Sequence, residues 1–140
     1  GNSLACRAAS RALDSLADPS FLERVRATSR RLFERLEASL VHSPSVLAVR
    51  HLGLLGGIEL AQPNHPLLGW AGMGLDELRD HPSAGPLLLE RLQRRGIFAH
   101  VCGHAWNTLR VEPPLIVDER RCDHFVAAVV SAVEWLDSHR

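Results

Sequence analysis

The sequence has 140 residues, 46% of them apolar and 23% charged, and its formal net charge is zero. That length and balance suit one globular domain, or one domain with a helical extension, and the absence of excess charge argues against nucleic acid or an anionic membrane as a partner. No apolar run approaches the ~20 residues of a membrane helix, and the opening GNSLACRAAS lacks the shape of a signal peptide.

Residues 2–17 place Leu4, Ala5, Ala8, Ala9, Ala12, Leu13 and Leu16 at helical spacing, an apolar stripe rich in small side chains. Asp18-Pro19-Ser20 breaks that helix and starts another, with Ser20 and Glu23 in the pattern of a capping box and Pro19 tolerated at the start. Leu22, Val25, Ser29, Leu32, Phe33, Leu36 and Leu40 then form the inner stripe of a longer helix ending near His42-Ser43-Pro44. From Val46 the period shortens. Val46–Arg50 and Leu54–Leu60 read as two strands turning at Gly53, and the pair Gly56-Gly57 marks a bulge or a close backbone approach. Residues 61–85 hold four glycines and three prolines. They read as a long connection with one short helical turn around Asp76–Asp80, and such length is functional or mobile.

Pro86–Arg95 is a compact helix stopped by Gly96. Ile97–Cys102 and Asn107–Val111 are two further strands, a hairpin across Gly103-His104-Ala105-Trp106. Asp118 caps a last helix with Cys122, Phe125, Val126, Val129, Val133 and Leu136 inside. The order α-α-β-β-loop-α-β-β-α, with short hairpin-linked strands, predicts an α+β fold: a mainly antiparallel sheet packed with helices and preceded by two N-terminal helices. Residues 1–43 carry the two helices, and 44–140 the α+β unit.

Arginine fills all 16 Lys+Arg positions, so no side chain here can form a lysine Schiff base. The cysteines, Cys6, Cys102 and Cys122, are too few and odd in number for a disulfide framework, and a reducing cytoplasm is the expected compartment. Arg110 stands in the run TLRVEPPL, where alternation groups it with Thr108 and Glu112 and sets Leu109 and Val111 on the other face. It is either a solvated strand arginine paired with Glu112 or Glu59, or a guanidinium kept for a carboxylate, which its rigid fork suits. Pro113-Pro114 ends the strand and stiffens the turn. His100, Cys102 and His104 alternate, and Cys122 and His124 add two further donors of the kind zinc accepts. The spacing contains no C-x-x-C or H-x-x-x-H pair, and Cys122 belongs to an apolar stripe, so no metal site is assigned. Gly1-Asn2-Ser3 opens the first helix, either as a simple cap or as an anion site.

Three blocks resemble the C-terminal part of class III, fold-type-I pyridoxal-phosphate aminotransferases, the family of the ornithine, acetylornithine, putrescine and 4-aminobutyrate enzymes. Gly1–Cys6, GNSLAC, is similar to GNPLACAAA at the helix joining the large and small domains. Val49–Leu60, VRHLGLLGGIEL, is similar to VRGLGLMIGIEL. LLLERLQRRGIFAHVCG followed by NTLRVEPPLIV resembles LLERGVLV followed by N-x-x-R-x-x-PPL. Each string is weak alone; in this order and over nearly the whole chain they are specific. Residues 61–85 depart from the family by their length, and Ser3 replaces a proline. The resemblance implies a small domain with its interdomain helix, part of a homodimeric enzyme that moves an amino group from an amino compound to a 2-oxo acid. It assigns the Schiff-base lysine and the main cofactor contacts to a large domain upstream. It puts Arg110 at the active-site mouth, facing a substrate carboxylate or a large-domain glutamate, and Gly1, Asn2 and Ser3 near the cofactor phosphate of the partner subunit. A chain without lysine is expected to be inactive alone. The other readings are a non-catalytic binding module derived from such a domain and a zinc-binding domain.

Overall fold

In the computed structural model, which describes residues 1–139, the elements follow the expected order. Helices α1 (Ser3–Leu16) and α2 (Pro19–Leu40) precede the hairpin β1 (Val46–Leu52) and β2 (Leu55–Leu60). Helix α3 (Ala84–Gln93), strands β3 (His100–Cys102) and β4 (Ala105–Val111), and helix α4 (Glu119–Asp137) complete the fold. The α2 cap differs from expectation. Asp18 accepts from the Ser20 amide at 2.9 Å and from the Ser20 hydroxyl, with Pro19 at the start of the helix, so Ser20 lies inside the first turn. Aspartate caps as well as serine, and this frame puts Pro19 where its missing N–H costs nothing.

The sheet is antiparallel throughout, in the order β1-β2-β4-β3. The β1–β2 turn uses Gly53 at φ +59°, and a register shift falls on β1 between Val46 and Ala48. Gly56 therefore serves the other purpose, close approach: a Cβ there would lie 2.4 Å from the Phe33 ring. One sheet face, through Ile58, Leu60, Leu109 and Val111, packs on Phe33 and Leu36 of α2, Leu88 of α3 and Val129 of α4. Burial of one face only is what gives an antiparallel sheet its alternating pattern. Helix α1 stands outside this core. All its residues are exposed, Leu4 and Leu13 at 77% and 65%.

Strand β3 is shorter than the sequence implies. The Ile97 N–H donates to the Leu92 carbonyl at 3.0 Å and the Gly96 N–H to Gln93 at 2.9 Å, with Gly96 at φ +74°. This Schellman closure of α3 commits Ile97 to the helix end, and pairing begins only at His100. Residues 61–85 contain two single 3-10 turns, Pro66–Leu68 and Asp76–Leu78. Gln62 and the buried Ser83 close the segment at its base by two reciprocal hydrogen bonds, 2.7 and 3.0 Å. Trp70 Nε1 donates to the His81 carbonyl at 2.8 Å, and the His81 ring stacks on Trp106 of β4 at 4.3 Å.

Candidate functional site

Strand β4 presents Arg110 to solvent between the buried Leu109 and Val111. Its register opposes Arg110 to Gly57 on β2 and to His100 on β3, and Gly57 in turn to Arg50 on β1. Directly opposed residues project from the same face, so the open face carries a row of Arg50, Gly57, Arg110 and His100. The glycine between the two arginines accommodates the Thr108 methyl, which would lie 3.1 Å from a Cβ at position 57. Arg50 pairs with Glu59, while Arg110 pairs with Glu112 at 2.5 Å. Arg110 and Glu112 are 51% and 54% exposed. Such a pair contributes under about 1 kcal/mol, so an incoming carboxylate can take the guanidinium at little cost.

A groove of about 510 Å³ opens beside this row. Its walls are residues 96–100, residues 110–114 and the first turns of α4. Ile97, Val117 and Phe125 give it an apolar lining continuous with the core, while His100, Arg110 and Arg121 add polar groups. Cys122 also lines it. Burial pushes this thiol up from its ordinary value of 9.0, with Asp123 and Asp118 adding to the effect. It is a thiol at neutral pH and acts as a small apolar group rather than a nucleophile.

The five candidate metal ligands are not drawn together. A register shift between Val101 and Cys102 sets Cys102 opposite Ala105, which breaks the alternation with His100 and leaves His104 in the turn. His124 Nε2 lies 3.2 Å from the Arg95 carbonyl oxygen. Among the described residues, no group of three or more His, Cys, Asp or Glu could hold a metal ion, and no helix is long and apolar enough to cross a membrane.

At the N-terminus, Asn2 Oδ1 accepts the amides of Leu4 at 2.9 Å and Ala5 at 3.1 Å. Asn2 is thus the cap of α1, and two of the amides that a helix start could offer to a phosphate are already satisfied. With no lysine in the sequence, no side chain here can hold pyridoxal phosphate through a Schiff base.

The sequence reading missed the groove and the Trp70–His81–Trp106 cluster. The groove joins residues from Leu32 to Phe125, and no local pattern encodes it. A weak signal for the cluster existed: two of the three tryptophans, Trp70 and Trp106, lie in or beside segments read as loops.

The sequence profile described as "Aminotransferase class-III" matches residues 1–133. A diaminobutyrate–2-oxoglutarate aminotransferase of Rhizobium meliloti is 30% identical, over 97% of this chain and 28% of its own length. An acetylornithine aminotransferase of Listeria innocua is also 30% identical, over 96% of this chain and 29% of its own. The chain thus spans less than a third of the curated relatives it matches. Among solved structures, the ornithine aminotransferase of Toxoplasma gondii aligns with a TM-score of 0.74 at 18% identity, over 99% of this chain and 28% of that one. An aminotransferase of Bacillus anthracis aligns with a TM-score of 0.74 at 22% identity, over 96% and 28%. At these identities the structural likeness shows the fold alone.

Proposed function

Because the chain belongs to the class-III aminotransferase family, we propose that it works as the small-domain portion of a pyridoxal-phosphate-dependent transferase. That enzyme moves an amino group from an amino compound to a 2-oxo acid. The observation that carries the reading is Arg110. It lies in the family's N-x-x-R-x-x-PPL pattern, is held on a strand rather than a loop, and engages only a half-exposed carboxylate. Its task is to orient a carboxylate, from the substrate or from a glutamate of the large domain, by two parallel charge-assisted hydrogen bonds. Residues 1–43 serve as the interdomain helix and the helix after it, and the exposed stripe of α1 supports a large-domain neighbour. Gly1, Asn2 and Ser3 are at most neighbours of the cofactor phosphate in the partner subunit of a homodimer. A cytoplasmic location fits three unpaired cysteines.

Pyridoxal phosphate, when bound to the lysine-bearing large domain, supplies the electron sink for amino transfer. This chain's residues contribute binding and orientation. The test is to assay amino transfer to 2-oxoglutarate by the chain alone and by the chain joined to a lysine-bearing large domain of the family. We expect activity only in the joined form, and Arg110→Gln there should lower kcat/KM roughly 10- to 100-fold, as for one lost charge-assisted interaction. Transamination by the chain alone, or an unchanged kcat/KM in the joined variant, would refute the proposal.

A further inference from the structure

We propose that residues 64–82 form a lid, hinged at its base, that swings off the open face of the sheet and uncovers Trp106 while the core stays folded. Four observations carry it. First, the two ends of the segment meet. Gln62 and Ser83 exchange hydrogen bonds of 2.7 and 3.0 Å, and the flanking Pro63, Ser83, Ala84 and Gly85 are buried, so both ends are anchored at one place. Second, the segment is ordered from within. The Leu75 N–H donates to the Trp70 carbonyl at 2.8 Å, and the Trp70 indole donates to the His81 carbonyl at 2.8 Å. Gly72 lies so close to the first 3-10 turn that a Cβ would be 2.3 Å from the Pro66 carbonyl oxygen. Third, this order is not shared with the core. Among the described residues, the hydrogen bonds of residues 64–82 all stay inside the segment, and none of these residues is buried. Fourth, the contacts that tie the unit to the sheet are aromatic: the His81 ring stacks on Trp106, and Trp70 meets the same ring edge-on at 6.2 Å.

A surface loop with joined ends, internal bonding and few buried contacts belongs to the low-stability end of local opening. Its motion is then that of a unit about its two anchored ends, not a melting of the segment. Strand alternation puts Trp106 on the face of Thr108 and Arg110. Closed, the lid ends the open face at Trp106. Open, it frees a strip of β4 running about 13 Å from Trp106 to Arg110, whatever Arg110 binds.

The experiment is NMR relaxation dispersion on the whole chain, which reads the microsecond-to-millisecond motions of lids. The indole N–H signals of Trp70 and Trp106 should show exchange at one shared rate. Trp135 is the internal control: it lies on α4 with the Arg91 guanidinium 3.8 Å over its ring, and its profile should be flat. His81→Ala removes the stacked ring but keeps the carbonyl that accepts from Trp70. His81 is exposed, so the variant should stay folded, which its circular dichroism checks. It should raise the open population roughly 2- to 12-fold, as for one lost aromatic pair. In the same variant the Met73 and Leu75 amides, bonded inside the segment, should keep their protection from hydrogen exchange. Flat profiles at Trp70 and Trp106 in both chains overturn the proposal, because the segment is then fixed. Exchange shared by Trp135 or by the β2–β4 amides also overturns it, because the motion is then that of the core. Loss of protection at Met73 and Leu75 in His81→Ala overturns it as well, since the segment then melts instead of swinging.

Discussion

Replacing Gly85 by alanine sets local propensity against tertiary contact. Gly85 lies in the first turn of α3, where alanine is intrinsically favoured by up to about 1 kcal/mol. The residue is buried against β4, however, and an added Cβ would sit 1.9 Å from the Trp106 carbonyl oxygen and 2.5 Å from Val101 Cγ1. The first contact is about 1.5 Å short of ordinary van der Waals separation. It involves backbone, which no rotamer change relieves, so the start of α3 and strand β4 must move apart. Overpacking of this kind costs about 1–3 kcal/mol, and a rigid backbone neighbour puts Gly85→Ala at the upper end. After the helix gain is subtracted we expect a net loss of about 2 kcal/mol. In a chain of this size that corresponds to a fall in Tm of about 6 °C. Urea and thermal denaturation followed by far-ultraviolet circular dichroism measure it. Gly103→Ala is the control, since nothing lies within 4 Å of its Cβ position, and it should change stability by less than about 0.5 kcal/mol. A Gly85→Ala chain as stable as the parent would refute the reasoning.

Three further outcomes are expected. Incubation with stoichiometric pyridoxal phosphate and borohydride should fix no adduct on any side chain, because lysine is absent; mass mapping must separate the α-amino group of Gly1, and a side-chain adduct would contradict the cofactor assignment. Burial raises the Cys122 pKa above 9.0, so the folded chain holds this proton after the unfolded chain has lost it. Its contribution to stability is complete below pH 9.0 and is lost as pH rises through the higher folded-state value. Cys122→Ala should flatten that alkaline decline, and in the parent the exposed Cys6 should alkylate long before Cys122. Finally, Arg110→Gln should leave the stability of the chain within about 0.5 kcal/mol, since only a half-exposed pair is lost; a larger change in Tm would mean that Arg110 holds the fold rather than a ligand.

Much of the architecture was legible because it is written at short range. The stripes of α2 and α4 repeat every three or four residues, Gly53 and Gly96 stand where the chain needs positive φ, and the Leu109–Arg110–Val111 alternation alone assigns Arg110 to the open face. Asp18 shows the limit even at short range: Ser20 with Glu23 made a good capping box, and the frame that also places Pro19 at the start of the helix prevailed. The order of elements along the chain and the family pattern were equally local, so the resemblance and the periodicity agreed without either depending on the other.

Contacts between distant residues were decided only by folding. Sequence offered Glu59 and Glu112 equally as partners for Arg110; the β1–β2 register gives Glu59 to Arg50 and leaves Glu112. The glycine at 85 read as loop composition, yet it is fixed by the backbone of Trp106 twenty-one residues away. The row from Arg50 to His100 needs three strand pairings to exist, and the groove needs the helix closure at Gly96 to hold Ile97 out of the sheet. Sequence by itself determined which side chains face outward and which family the chain resembles, because both depend on residues close along the chain. Tertiary structure alone decided what those outward groups meet, because neighbours in space are set by register and packing rather than by spacing.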